Sequence, residues 1–501
     1  MAVQDPPTQA GNAMELQEQH SLPLVVAAKA AVLNPPPDLG AFPDNWWRVQ
    51  GVQWIRQLCT QLRVNPRTVA DAPTRHDVQI MRDSGLLPRE LDEQIVLLLV
   101  RISLVQSDTK MTYEAAVRAL LVRTLEILEI RSAALWDAER QIAAELLKQV
   151  NEAESRAQTE RARQQRENGW GGKIGRWAAT GAGVVLGGVA LGVTGGLAAP
   201  LLLSLVPFLG LSPIVLGSLF GLAGGGLAGY RVRRRWAGVD SFEFIPLSNE
   251  TPSMVATILV PGLQVGSEIE TVSAARAALH MFQTPAREVF YLSHSPQLMH
   301  TVGKTLDDWV VTQVLPTTTL AALRLTVLGA AVSALTAPLV VYTAVSMVDN
   351  DWVRACDKAN KAGELLAEVL RERVQGARPV VLVASSLGAL VVFRALLHLP
   401  PEAPPLIDSV IFIGAPMTPS MREWRAMRRV VARRIVNAWC PTDAVLATVA
   451  RMHAPLKAPP MGLKPTPFEG VEDIDISDII EGHFDISLKY EAILSRVRAS
   501  E

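Results

Sequence analysis

The chain has 501 residues, 48 basic and 49 acidic side chains, a formal net charge of −1 and a pI of about 6.7. With 49% apolar and 19% charged residues and a mean hydropathy of +0.21, it is too apolar for a disordered protein and richer in apolar residues than an average soluble enzyme. Without a net positive charge, nucleic acid is not the expected partner. The widely spaced Cys59, Cys356 and Cys440 make neither a zinc spacing nor a disulfide framework, which points to a reducing compartment.

Residues 1–44 are rich in proline and polar side chains and read as a disordered tail. The first twenty carry Asp5, Glu15 and Glu18 but no basic stretch feeding an apolar run, so a secretory signal peptide is not expected. From 45 to 168 the periodicity is helical. Trp54, Ile55, Leu58 and Leu62 share one face, as do Leu91, Ile95, Leu98, Leu99 and Ile102. The last helix of this region becomes strongly charged. Its seam, Ile142, Leu146, Val150, Ala153 and Ala157, suits a short coiled coil or a solvated helix packed along one edge.

Residues 177–230 form a run of 54 without a charge, fourteen of them glycine. One spanning helix needs about 20 apolar residues, so this length suits a two-pass hairpin turning near Pro207–Pro213. Close glycines would let the two helices approach in lipid. Lys173 and Arg176 precede the run and Arg231, Arg233, Arg234 and Arg235 follow it. Basic flanks at both ends predict a multi-pass membrane protein with both termini cytoplasmic. A buried hairpin, or one dipping into a single leaflet, fits the same composition.

From residue 240 to 495, β-rich runs at 255–260, 288–292, 379–384, 409–413, 434–439 and 471–476 alternate with helical patterns such as 358–374 and 387–398. That alternation predicts a mostly parallel α/β sheet. A second uncharged run, 325–348, is long enough to span a bilayer. It lies between strands expected to share one sheet, so it is read as a buried or membrane-facing helical insertion.

Ala384-Ser385-Ser386-Leu387-Gly388 has the form G-x-S-x-G with alanine in the first place. A strand run ends at Ala384 and a helical run begins at Leu387, the strand–turn–helix context of a nucleophile elbow. Such an elbow calls for an acid and then a histidine downstream. His483 follows the last strand-like run and is preferred over His398 and His453 as the general base. Asp443, after the strand at 434–439, is preferred as the acid. Asp473, Asp475 and Asp478 compete with it, and Asp443 also reads as a helix N-cap. The oxyanion donors are assigned to the N–H groups of Leu387 and of Leu263, in the turn Val260-Pro261-Gly262-Leu263. Gly171-Gly172-Lys173 lacks the phosphate-loop spacing. His294 and His300 have no third ligand nearby and read as surface residues. No metal or cofactor is expected.

The run Leu191–Pro200 (LGVTGGLAAP), the stretches Val348–Trp352 and Lys361–Val369, the elbow and Glu481-Gly482-His483 occur in this order over about 170–490. Together they resemble the transmembrane and coiled-coil domain-containing protein 4 family, a group of α/β-hydrolase-like eukaryotic membrane proteins. The resemblance implies an N-terminal helical domain, a membrane hairpin, an α/β hydrolase fold and the set Ser386, Asp443 and His483. It departs at Ala384, where the family usually has glycine, and says nothing of substrate. The expected protein is a membrane-anchored serine hydrolase acting on a lipid or acyl ester, with a non-catalytic trafficking or tethering protein on the same scaffold as the alternative.

Overall fold

The computed structural model describes residues 18–36, 46–106, 110–167, 218–221, 227, 240–247, 253–280, 287–309, 338–400, 404–453 and 459–499. Its N-terminal part is a helical unit: α1 (Ser21–Leu33), α2 (Trp46–Gln61), α3 (Arg75–Asp83), α4 (Asp92–Ser103), α5 (Ala115–Ile127) and α6 (Ser132–Glu167). A two-stranded ladder, β1 (Val105–Gln106) with β2 (Met111–Thr112), sits between α4 and α5.

Helix α1 corrects the reading of disorder over Ser21–Leu33, while 1–17 and 37–44 lie outside the described residues. Leu24, Val25, Ala27, Ala28, Ala30 and Ala31 are fully buried. Apart from Ser21 and Lys29 the helix is apolar all round, which suits burial rather than a surface. Pro23 lies in the first turn, where a backbone N–H has no helical partner to lose. Its neighbour α2 comes so close that a Cβ on Gly51 would lie 2.5 Å from Val32 Cγ1. The prolines frame a helix here instead of marking disorder.

Helix α6 buries Ile142, Leu146 and Val150 and packs along α4. The rest of that seam, Ala153 and Ala157, lies outside the described side chains.

The second part is a seven-stranded mixed sheet in the order β3 (Phe242–Pro246), β5 (Arg287–His294), β4 (Val255–Val260), β6 (Val380–Ser385), β7 (Ile407–Ile413), β8 (Ile435–Trp439) and β9 (Glu472–Asp475). All neighbours are parallel except β3, which pairs antiparallel with β5. Every residue of β4, β6 and β7 is buried, which is why these strands are predominantly apolar, with Thr257, Ser385, Asp408 and Ser409 as the polar exceptions. Helices α7 (Glu268–His280), α8 (Pro296–Trp309), α9 (Pro338–Arg371), α10 (Leu387–His398), α11 (Met421–Val430), α12 (Ala444–His453) and α13 (Tyr490–Ala499) flank the sheet.

Most of the expected membrane hairpin, 177–217, lies outside the described residues. Its distal part is corrected by Ser218–Gly221, which is packed in protein. Leu219 and Phe220 are buried. Met111 N–H donates to Ser218 Oγ at 3.0 Å and Ala377 N–H to the Ser218 carbonyl at 3.1 Å. Gly221 turns the chain with φ +72°, and a Cβ there would lie 2.5 Å from the Val374 carbonyl oxygen. The hairpin therefore does not continue uninterrupted to Tyr230. Among the described residues, no helix is long and apolar enough to cross a membrane.

The helical insertion expected over 325–348 is described only in part. Residues 325–337 lie outside the described residues, and 338–348 begin the 34-residue helix α9, which runs on to Arg371. Pro338 is its first residue, a position that suits a fixed φ and a missing N–H.

Candidate active site

Four of the six parallel strands, β4, β6, β8 and β9, end at one edge of the sheet and lead into loops that converge there. After β6 the chain reverses at Ser386, whose φ of +54° and ψ of −132° are costly for a residue with a Cβ. Three contacts explain why the turn holds. Ser386 N–H donates to the Ile413 carbonyl of β7 at 3.0 Å. Ala389 N–H donates to the Ser386 carbonyl at 3.0 Å. Gly388 packs against β4 so tightly that a Cβ would lie 2.0 Å from the Val260 carbonyl oxygen. Ala384 is tolerated in place of glycine because its methyl enters the core between β4 and β7, where it pairs with Val260 and Phe412.

His483 opens a 3-10 turn, His483–Ser487, in the loop after β9. Asp485 anchors that turn by accepting from the N–H groups of Glu481 and Gly482 at 2.9 and 3.0 Å. His483 Nδ1 lies 2.6 Å from Asp443 Oδ2 and Nε2 lies 2.7 Å from Ser386 Oγ. A carboxylate only accepts, so Nδ1 carries the proton and Nε2 is left to accept from the serine hydroxyl. All three side chains are buried.

Asp443 is also the N-cap expected from the sequence, because its Oδ1 accepts from Leu446 N–H at 2.9 Å. One carboxylate makes both contacts with different oxygens. Its competitors are engaged elsewhere: Asp473 with Asn437 and Thr466, Asp475 with Ser477, and Asp478 with Arg496. His398 lies on α10 and bonds back to the Arg394 carbonyl, away from Ser386.

The turn after β4 lies over the elbow. Leu263 N–H points to Ser386 Oγ at 3.4 Å. A Cβ on Gly262 would lie 2.2 Å from Leu387 N, so only glycine allows the turn to bring Leu263 and Leu387 side by side. The side chains of both residues join an apolar cluster with Met299, Leu306, Trp309 and Trp352.

Several residues around the site were not singled out by sequence reasoning. Gly414, at φ +55°, lies beside the Asp443–His483 pair, and a Cβ there would stand 3.5 Å from His483 Cε1. Tyr490 of α13 shares a 2.6 Å hydrogen bond with Ser385, and burial pushes its hydroxyl up to about 12. His294 is a correction: it is buried, with Nε2 2.9 Å from the Pro261 carbonyl. His300 is half-buried and bonds to the Gly266 carbonyl at 3.0 Å. Neither is a plain surface residue, because both hold backbone of the turn over the elbow. Their one sequence signal is position, at the same end of the sheet as the elbow.

A family described as "Protein of unknown function (DUF726)" matches residues 172–500, the segment that carries the whole site. The chain belongs to the DUF726 family. It is 30% identical over 402 residues to the "Uncharacterized membrane protein F35D11.3" of Caenorhabditis elegans, covering 77% of this chain and 64% of that one. It is 29% identical over 338 residues to the rice "Transmembrane and coiled-coil domain-containing protein STS1", covering 60% and 49%. It is 30% identical over 267 residues to the "Probable lipase MIL1" of Saccharomyces cerevisiae, covering 53% and 24%. The DUF726 chain thus spans less than two thirds of the length of each of these relatives. No solved structure matches it.

Proposed function

We propose that this DUF726 chain is a serine hydrolase of the α/β-hydrolase fold, acting on a lipid or acyl ester at a membrane. The observation that carries the reading is the relay in which His483 bridges Asp443 and a serine held at positive φ. Ser386 Oγ attacks the ester carbonyl carbon while His483 Nε2 takes its proton. The carbonyl oxygen becomes an oxyanion facing the N–H groups of Leu387 and Leu263. His483 then returns the proton to the leaving alkoxide, which departs as an alcohol and leaves an acyl-enzyme. Water, deprotonated by His483, releases the acid.

The ester class is supported by the apolar cluster beside the turn and by the yeast relative named a probable lipase. Membrane placement is supported by relatives named as membrane proteins and by the uncharged stretch upstream of Ser218. The order of the motifs supports kinship with the transmembrane and coiled-coil domain-containing protein 4 group. The test is turnover of acyl esters of graded chain length by the purified chain. Hydrolysis that disappears in Ser386→Ala and His483→Ala supports the reading. Equal turnover in all three would leave the tethering role.

A further inference from the structure

Resting on that hydrolase reading, we propose that His294 is a positioning residue that holds the Pro261 carbonyl and so aims the Leu263 N–H at the oxyanion.

The donor needs such a brace. Leu263 N–H belongs to the peptide that follows Gly262, and glycine is the residue least able to fix its own backbone. Gly262 cannot be replaced by a stiffer residue, because a Cβ would meet Leu387 N at 2.2 Å. The orientation of the turn must therefore come from outside it. One segment, the end of β5 and the start of α8, supplies the contacts. His294 Nε2 lies 2.9 Å from the Pro261 oxygen, immediately before the glycine. Beyond the donor, Gln264 N–H donates to the Met299 carbonyl at 3.4 Å, and its side-chain Nε2 to Tyr291 Oη at 2.7 Å. His300 Nδ1 holds the Gly266 carbonyl at 3.0 Å. Of the side-chain contacts, His294's is the one that grips a peptide next to the donor's own.

The chemistry of His294 fits a dedicated donor. A carbonyl oxygen only accepts, so Nε2 carries the proton. Nδ1 is buried without a hydrogen-bond partner. Packing alone would select an apolar ring there, since buried polar atoms are normally paired. Burial also lowers the imidazole to about 4, so the neutral Nε2–H form persists throughout the neutral range. The next residue, Ser295, sits at φ +45°, a strained turn of the kind retained where geometry is functional.

The experiment compares His294→Phe, which fills the ring volume without a donor, with His294→Gln, which restores an N–H. For the full-length chain, kcat and KM are measured on a p-nitrophenyl acyl ester, together with the affinity for an arylboronic acid that forms a tetrahedral adduct on Ser386. His294→Phe is expected to lower kcat by about 10- to 100-fold, less than the loss of a whole oxyanion donor. KM should change little, and boronate affinity should fall in parallel with kcat. His294→Gln should recover most of both. Unchanged kcat and boronate affinity in His294→Phe would overturn the proposal, as would His294→Gln behaving no better than His294→Phe. If His294→Phe does not fold, His294→Gln alone decides, because near wild-type boronate affinity supports the donor role and a loss contradicts it. Failure of the hydrolase reading looks different. The wild type would then neither hydrolyse the ester nor bind the boronate, and the role of His294 would fall with it.

Discussion

Arg118 Nη1 donates to Asp408 Oδ1 at 2.9 Å across 290 positions of chain, and both side chains are buried. The same guanidinium binds Glu139 through Nε at 2.7 Å, and Tyr113 donates to that glutamate at 2.9 Å. Arg433 approaches the other oxygen of Asp408 at 3.5 Å. Two guanidiniums and two carboxylates thus neutralise one another where α5 and α6 meet the start of β7. The helical unit is fixed to the base of the sheet, opposite the edge that carries Ser386.

Arg118→Met should destabilise the fold by about 3–5 kcal/mol, because it leaves buried Glu139 without its cation and Asp408 with only the more distant Arg433. Denaturant unfolding measures this. Burial alone would raise the Asp408 carboxyl, but Arg118 and Arg433 outweigh it and hold it at about 2. An unfolded aspartate titrates at about 3.9. The folded value is the lower one, so this stabilisation is complete above about pH 4 and is lost as the pH falls towards 2. Asp408→Asn should flatten that part of the stability profile.

Gly262→Ala should cut ester turnover by about 100-fold or more, the scale of losing an oxyanion donor, while costing about 1–3 kcal/mol in stability. The added methyl must push the turn off Leu387 N. Steady-state kinetics alongside thermal melting separates the two effects, and a fall in stability without a fall in turnover would contradict the oxyanion assignment.

His294 gives a second pH signature. Its folded value of about 4 lies below the roughly 6.5 of an unfolded histidine. The stabilisation is present above pH 6.5 and disappears as the pH falls through 4. Denaturation midpoints measured between pH 7 and 4 should decline less steeply in His294→Gln than in the wild type.

Asp443→Asn should lower kcat by about 10³- to 10⁴-fold, since it disturbs the imidazole tautomer and leaves the imidazolium uncompensated. Asp473→Asn should leave kcat close to the wild-type value, because that carboxylate serves Asn437 and the Thr466 turn. The reverse pattern would move the acid to Asp473.

The central strands were legible because strands buried on both faces are predominantly apolar. β6 and β7 differ from their expected ranges by one or two residues. The antiparallel strand β3 escaped notice, since five residues at an edge carry little pattern. Helix α1 was hidden by the prolines that frame it. Ser386, Asp443 and His483 could be ordered along the chain because each follows a strand, but their hydrogen bonds are properties of the packed sheet. His294 and His300 read from the sequence as surface residues, yet the fold buries the first and half-buries the second. A histidine that holds a carbonyl has no motif, and its partner lies 33 or 34 positions away.

The central claim, a nucleophilic Ser386 activated by His483, is tested most directly by a fluorophosphonate probe with the modified peptide mapped by mass spectrometry. One adduct is expected, on Ser386, at wild-type levels only when His483 is intact. None is expected in Ser386→Ala and a severe loss in His483→Ala, with both variants still folded. Full labelling of Ser386→Ala, or an adduct on another residue of the folded wild type, would contradict it.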